Sequence, residues 1–330
     1  MDSAKTSKLY DLQTSRDFYE ERYDHGYMDQ WPLEKKQRIF DVIRSLDLPA
    51  EGDALDFGCG NGVLTEIVRQ ALPPAWRVYG TDLSSKAVGN AQRRYPSCTF
   101  FSGETTASVP ERYDFLFTHH VLEHVYDIDE TIDLMEGFLK DHAAMLHILP
   151  CGNEGSFEHG VCISRTDGIN AELQNRFFYD EEGHVRRLTS NQLKSFFMPR
   201  GFELSKDFYC YQQAGAIDWI TRSDRSFIEM FADPTKARDQ QAKRRLSQLR
   251  WKLLLVHLLR RPAVAVDNKL RQDRRTLRDC VLIAAGLVLY PFSHLVNRSI
   301  KRRADAEWER DRMNPGGSEM FHFYKRKRKA

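Results

Sequence analysis

Two short stretches hold side chains with reactive potential. In the first, Asp56-Phe57-Gly58-Cys59-Gly60-Asn61-Gly62, an acid is followed by three glycines that alternate with other residues. Glycine lets the backbone turn sharply and lets a ligand reach main-chain N–H groups without meeting a Cβ. A helix starting just beyond such a turn adds its positive dipole end, which favours negative groups. Together these make a site for a nucleotide or an amino-acid cofactor. In the second stretch, His119-His120-Val121-Leu122-Glu123-His124, residues 120, 123 and 124 stand at i, i+3 and i+4. One helical turn would present all three on one face. H-x-x-E-H can ligate a divalent metal, and a metal lowers the pKa of a bound hydroxyl. Without a metal, a histidine at this place can still take a proton from an acceptor hydroxyl.

Strands must carry both stretches. A short apolar run ends in Asp56, and a helical pattern starts near Val63 and continues through Ile67, Val68 and Leu72. The glycines therefore join a strand to a helix. Their spacing is not the dinucleotide G-x-G-x-x-G, because Val63 stands at the third position. Arg77 to Ser84 reads as a second strand ending in Asp82, where an acid can accept hydrogen bonds from both hydroxyls of a ribose. The competing reading of Asp82 is a capping or surface acid. Cys98 to Phe101 reads as a third strand, with Glu104 just beyond it. Tyr113 to Thr118 is a fourth and runs directly into His119. Ala143 to Leu149 is a fifth, and Phe202 begins a sixth. Strands alternating with helices at this rhythm predict a parallel, doubly wound sheet. Ligands of such sheets gather at the carboxyl ends of the strands. Gly58, Asp82, Glu104 and His119 are therefore expected to face one crevice.

The order Asp56-x-Gly58-x-Gly60-x-Gly62 closely resembles the cofactor loop of class I S-adenosylmethionine (SAM)-dependent methyltransferases. The resemblance covers about Phe18 to Tyr209 and the final strand. It implies a seven-stranded doubly wound Rossmann-like sheet with SAM as cofactor. The implied cofactor-binding residues are Asp56, Gly58, Cys59, Gly60, Gly62, Asp82, Leu83, Glu104 and His119, with Glu104 toward the adenine. An N-terminal helix would cover the cofactor, with Tyr23, Tyr27 and Trp31 lining that lid. In the family the seventh strand is the last and inserts antiparallel beside the sixth. Ser318 to Lys325, alternating and aromatic, reads as that strand. Residues 1–49 then form a helical lid and 50–211 the SAM-binding domain. Residues 212–317 form a basic and apolar helical insertion, and 318–330 the final strand with a basic tail.

The histidine stretch is similar to the E-x-x-E-H of two methyltransferase groups. These are the ubiquinone-pathway O-methyltransferases and the small-RNA 2′-O-methyltransferases, which bind a divalent metal through it. This chain departs at the first position, with His120 for Glu. His184, in a G-H-x-R-x-x-T context, resembles a further histidine ligand of the RNA enzymes. The metal ligands so implied are His120, Glu123, His124 and His184. His120, His124 and His184 are also the candidates for general-base or acceptor-positioning work. Against this stands the reading that Leu122-Glu123-His124-Val125 is only a common family sequence.

Composition narrows the partners. With 41% hydrophobic and 29% charged residues, the chain has an ordinary globular balance. The net charge of +2 conceals an asymmetry: residues 231–330 hold 25 Lys and Arg against 10 Asp and Glu. An acidic body with a basic final section points to an anionic partner: a membrane surface, nucleic acid or a phosphorylated glycan. Six scattered cysteines without C-x-x-C pairs read as reduced thiols of a cytosolic enzyme. The N-terminal residues lack the apolar core of a secretory signal. Cys280 to Val296 is almost wholly apolar, but it is short for a bilayer span and interrupted by Pro291 and His294. A strand returning to the same sheet also forbids a single crossing. A helical hairpin dipping into the cytoplasmic leaflet is expected, held by Arg and Lys at anionic head groups. The alternative is a hairpin buried against the body or a second subunit.

The expected function is methylation, at an oxygen, of a lipid-linked, saccharide or other small acceptor at the inner face of a membrane. One alternative is a metal-assisted RNA 2′-O-methyltransferase that uses the basic section for phosphates. Another is a SAM-binding membrane scaffold without catalysis.

Overall fold

Central strands covered on both faces are apolar throughout rather than alternating. In the computed structural model, which describes residues 12–24, 31–102, 113–270 and 276–327, Tyr113–His119 is buried at every position. It is the fourth strand of a seven-stranded sheet. The strands are β1 (Glu51–Phe57), β2 (Ala75–Asp82), β3 (Thr99–Ser102), β4 (Tyr113–His119), β5 (Leu139–Pro150), β6 (Phe202–Cys210) and β7 (Glu319–Arg326). Their order is β3-β2-β1-β4-β5-β7-β6. The first five pair in parallel. β7 runs antiparallel to both β5 and β6. This is the doubly wound sheet expected, with its last strand inserted as the resemblance implied.

The chain winds outward from β1 to β3 and then returns to place β4 on the other side of β1. A crevice opens at that reversal, beyond the carboxyl ends of the strands. The antiparallel insertion of β7 has a consequence there. Its first residue, Glu319, lies opposite Pro150, the last residue of β5, and Cys210, the last of β6. An acid at the start of the final strand thus arrives at the ligand-binding edge.

Helices cover both faces. α1 (Leu12–Asp24) and α2 (Leu33–Arg44) precede the sheet, and α3 (Val63–Ala71), α4 (Ser85–Arg94) and α5 (Ile128–Gly137) follow β1, β2 and β4. α2 turns Ile39, Val42 and Ile43 onto one face of the sheet, where they pack with Phe115, Phe117 and Phe321. The other face packs Leu116, Ile132, Met145 and Phe197. Cutting one such buried phenylalanine to alanine costs about 3–5 kcal/mol. Caps set the helix starts: Ser84 accepts from the Ala87 N–H and Asp127 from the Glu130 N–H.

Between β5 and β6 lie a short helix α6 (Phe157–Cys162), a two-stranded ribbon pairing Ile169–Asn170 with Arg176–Phe177, and α7 (Ser190–Phe197). Between β6 and β7 the chain forms α8 (Ala214–Arg222), α9 (Arg225–Phe231), α10 (Gln240–Leu270), α11 (Leu277–Leu287) and α12 (Tyr290–Asp311). The root of these helices is tied to the body by buried polar groups. The Glu307 carboxylate accepts from the N–H groups of Gln213 and Gly215 at 3.0 and 2.9 Å. Glu158 accepts from Trp219 Nε1 and the Ser318 hydroxyl, both at 2.7 Å.

Cys280 to Val296 is not one apolar helix. α11 ends at Leu287 and α12 starts at Tyr290 with Pro291 in its first turn, where a proline fits and interior helix does not. Among the described residues no helix is long and apolar enough to cross a membrane. Around the break between the two helices the side chains are open: Leu287, Val288, Leu289, Phe292 and Leu295 are 52–80% exposed. All six cysteines are unpaired, five of them buried.

Candidate active site

The glycine turn needs backbone angles that side chains resist. Gly58, Gly60 and Gly62 have φ of 79°, 52° and 77°. A Cβ on Gly58 would stand 2.5 Å from Val121 Cγ2, and one on Gly60 would stand 2.8 Å from the Tyr23 hydroxyl. The turn is tied to the second strand, for the N–H groups of Gly58 and Cys59 donate to the Thr81 carbonyl at 2.8 and 2.9 Å. Asp82, at the end of β2, receives the Gly60 N–H at 2.8 Å and the Ser84 N–H at 2.9 Å, one on each oxygen. Asp56 is buried and accepts from the Thr65 hydroxyl at 2.6 Å. Burial, with Asp82 nearby, pushes its carboxyl up to about 7.

A pocket beside the turn is lined by Trp31, Asp56, Gly58, Gly60, Asn61 and His119. Trp31 packs edge-on to His119, with ring centroids 4.7 Å apart. His119 Nε2 is buried and has no hydrogen-bond partner among the described residues. Burial, then Lys35 and His120, hold that ring well below the usual histidine range, so it is neutral. Cys59 and Gly62 complete the turn, and Leu83 follows Asp82 with partial exposure. Glu104 and Tyr27 lie outside the described residues.

His120, Glu123 and His124 do not share a helix as their spacing suggested. His120 has φ 54°, and only a single turn follows, closed by the His124 N–H on the Val121 carbonyl at 2.9 Å. The Asp127 cap delays the helix to Ile128. The turn still brings groups together. His120 Nδ1 meets Glu123 Oε1 at 2.8 Å, and His120 Nε2 meets Glu319 Oε1 at 2.9 Å. Lys35 Nζ donates to the same Glu319 oxygen at 2.6 Å. Burial works against these charges, but Lys35 and His120 hold Glu319 well below the carboxylate range. His120 is raised despite burial and Lys35 by the carboxylates that bracket it. Both of its nitrogens are engaged by carboxylate oxygens.

His184 does reach the cluster. Its ring packs edge-on to His124 at 4.6 Å between centroids. The G-H-x-R run achieves this because its backbone and Arg186 clasp the histidine turn. The Val185 N–H donates to the Glu123 carbonyl at 2.8 Å, and the buried Arg186 guanidinium donates to the carbonyls of Leu122, Val125 and Tyr126. Burial, with His184 beside it, lowers His124 to about 4. His124 Nδ1 is hydrogen-bonded to the Tyr19 hydroxyl at 2.8 Å, while its buried Nε2 has no hydrogen-bond partner among the described residues.

Five participants were not singled out from the sequence: Tyr19, Lys35, Glu181, Arg186 and Glu319. Glu319 was readable, since an antiparallel last strand must begin at the carboxyl edge. Lys35 looked like one of many surface cations on α2. Glu181 stands in the loop-rich mouth, where no periodicity marks direction.

Fold and site together define a class I methyltransferase. A family profile described as a methyltransferase domain matches residues 23–206, more than half of the chain. The chain belongs to that family, whose cofactor is SAM. Among curated relatives, the trans-aconitate 2-methyltransferase of Yersinia pestis (strain Pestoides F) is 28% identical over 82 residues, 25% of this chain and 31% of that protein. That of Variovorax paradoxus (strain S110) is 27% identical over 101 residues, covering 30% and 39%. The chain thus spans about a third of the length of the relatives it matches. Among solved structures, magnesium protoporphyrin IX methyltransferase from Synechocystis PCC 6803 with bound SAH aligns with 60% of this chain and 92% of its own, at 20% identity and a TM-score of 0.43. The plantazolicin methyltransferase BpumL, with an analogue and SAH, aligns over 98% and 96%, at 12% identity and 0.47.

Proposed function

We propose that this chain transfers a methyl group from SAM to an oxygen of a lipid-linked or saccharide acceptor presented at the inner face of a membrane. The observation that carries the reading is the continuity of two half-sites. The glycine turn with Asp82 and the His–Glu cluster are joined by His119 and His120, adjacent residues at the end of β4. The residues present fit a nucleoside with an amino-acid tail. Asp82 has lone pairs beyond the two N–H groups it holds, enough for ribose hydroxyls. The N–H groups of Gly58, Gly60 and Gly62 are held by Thr81, Asp82 and Cys59, and the absence of Cβ atoms lets a ligand approach the backbone of the turn closely.

When bound, the cofactor supplies an electrophilic methyl on a sulfonium. What is left to the chain is to align the acceptor, keep water out and take a proton. His124 is the group we assign to the proton, because it is neutral at pH 7 and its Nε2 is unpaired. His184 orients it. His120, bracketed by two carboxylates, is unsuited to that work; we assign it to holding Glu123. Trp31 and Tyr23 close the cofactor side.

The membrane part rests on the exposed apolar tip of α11 and α12, with Arg261 and Arg298 exposed on the helices that carry it. Apolar side chains below a rim of cations suit an anionic leaflet. A metal-assisted RNA 2′-O-methyltransferase is the second reading, favoured by the convergence of His184 on Glu123 and His124. Labelled SAM offered with lipid, glycan and RNA fractions separates the two. Label in the lipid or glycan fraction supports the first reading, and label in RNA alone would replace it. SAH calorimetry on the same preparation tests the cofactor half, and no heat would refute it.

A further inference from the structure

The family resemblance points a metal at residues 120, 123, 124 and 184, yet both ring nitrogens of His120 are taken, by Glu123 and Glu319. Another carboxylate stands where a ligand is wanted. Glu181 Oε1 lies 3.6 Å from His124 Nε2 and 3.6 Å from His184 Nε2. One ligand atom from each of these three residues lies within 4.8 Å of the other two. The same limit joins His184 to Glu123 and His120.

Buried atoms among these residues lack a hydrogen-bond partner. Glu123 is fully buried, and its Oε2 has no hydrogen-bond partner among the described residues; nor has His124 Nε2. A buried, unpartnered carboxylate oxygen is costly unless a cation or donor meets it. The outer shell is in place. Tyr19 holds His124 Nδ1, which orients Nε2 inward. Arg22 holds Glu181 Oε2 at 2.8 Å, which leaves Oε1 toward the histidines.

We infer that this chain binds a divalent cation through Glu123, His124, Glu181 and His184, with Glu181 supplying the carboxylate that position 120 lacks. The inference rests on the reading above and on the same site, and changes one role in it: a cation on His124 Nε2 would replace that nitrogen as the group that eases the acceptor proton away. Two imidazoles and two carboxylates suit a first-row ion such as manganese, iron, cobalt or zinc better than calcium. Geometry explains the exchange. His120 Nδ1 lies 2.8 Å from Glu123 Oε1 and its Nε2 2.9 Å from Glu319 Oε1, so both of its nitrogens are already engaged.

The test is Co2+ binding to the full chain, read by visible absorption and by equilibrium dialysis, with SAH calorimetry on every sample. Wild type is expected to take one Co2+ per chain. Glu181→Gln should weaken that binding roughly tenfold to a hundredfold or more. His120→Asn and Arg22→Ala, which remove only contacts around the ligands, should each weaken it less than Glu181→Gln does. SAH binding should persist throughout. A wild type that binds SAH but no Co2+ overturns the inference. So does retention in Glu181→Gln with loss in His120→Asn. Co2+ binding without SAH binding would sink the cofactor reading and leave the cation site standing.

Discussion

His120 and Glu319 are 199 positions apart in the chain, and His120 Nε2 lies 2.9 Å from Glu319 Oε1. The contact joins the end of the fourth strand to the start of the last, across the intervening β5, so this cluster is complete only when the last strand is in place.

Removing one partner leaves the others charged and dry. Glu319→Gln is expected to destabilise the fold by about 3–5 kcal/mol, because it leaves the buried Lys35 ammonium without its carboxylate. Lys35→Met added to Glu319→Gln should recover part of that loss. Denaturant midpoints of the two single variants and the double variant make the cycle. Additive losses would show that Lys35 and Glu319 do not act as a pair.

The glycine turn should fail at Gly60 without the fold failing. Gly60→Ala places a methyl against the Tyr23 hydroxyl and holds alanine at φ 52°, a strain of about 1–2 kcal/mol. Asp82→Asn keeps the shape of the acid and removes its charge, worth roughly 1.5–3 kcal/mol for hydrogen bonds to a charged group. Both variants should bind SAH at least tenfold more weakly in calorimetry. Unchanged affinity in both would place the cofactor elsewhere.

The apolar tip should govern association with vesicles. Burying one leucine or phenylalanine in an apolar phase contributes about 1.5–3 kcal/mol. A Leu287→Ser, Phe292→Ser double variant is therefore expected to lower partition into anionic liposomes by at least a hundredfold while SAH binding holds. Equal flotation of variant and wild type would remove the membrane from the reading.

Acid should loosen the helices that follow β6 through Glu34. This residue of α2 pairs with Lys301 and Arg222. Burial opposes its charge, but the Lys301 hydrogen bond, its own backbone N–H and Arg222 bring it down to about 2. A lowered pKa contributes stability that is full above the unfolded value near 4.5 and fades as pH falls toward 2. The side chain is 31% exposed, so water screens the pair and the contribution is about 1 kcal/mol or less. Thermal midpoints of wild type and Glu34→Gln should differ at pH 7, draw together below about pH 4.5 and converge near pH 2. A constant difference across that range would count against the pairing.

The cofactor half was legible because its signals are local. Asp56, Gly58, Gly60 and Gly62 stand within one turn, and Asp82 ends a strand whose apolar run is plain. The antiparallel last strand was readable from Ser318 to Lys325 for the same reason. The acceptor half was half legible. The H-x-x-E-H spacing brought His120 and Glu123 together, but it suggested a helix where positive φ at His120 gives a turn. Which lone pairs remain free depends on Lys35, Tyr19, Glu181 and Glu319, which come from three distant parts of the chain, and no spacing rule reaches them. In the apolar segment at 280–296 the interruption at Pro291 was legible, and the proline stands in the first turn of a new helix.

Cys210 and Glu319 are neighbours across the β6–β7 pairing yet 109 positions apart. Closing a loop of that size costs about 4 kcal/mol of chain entropy before any contact rewards it. The pairings of β1, β2 and β4 close far shorter loops. During refolding, the nucleoside-reading half of the sheet is therefore free to assemble first. The contacts of Lys35 and His120 with Glu319 wait for the slow arrival of one returning strand.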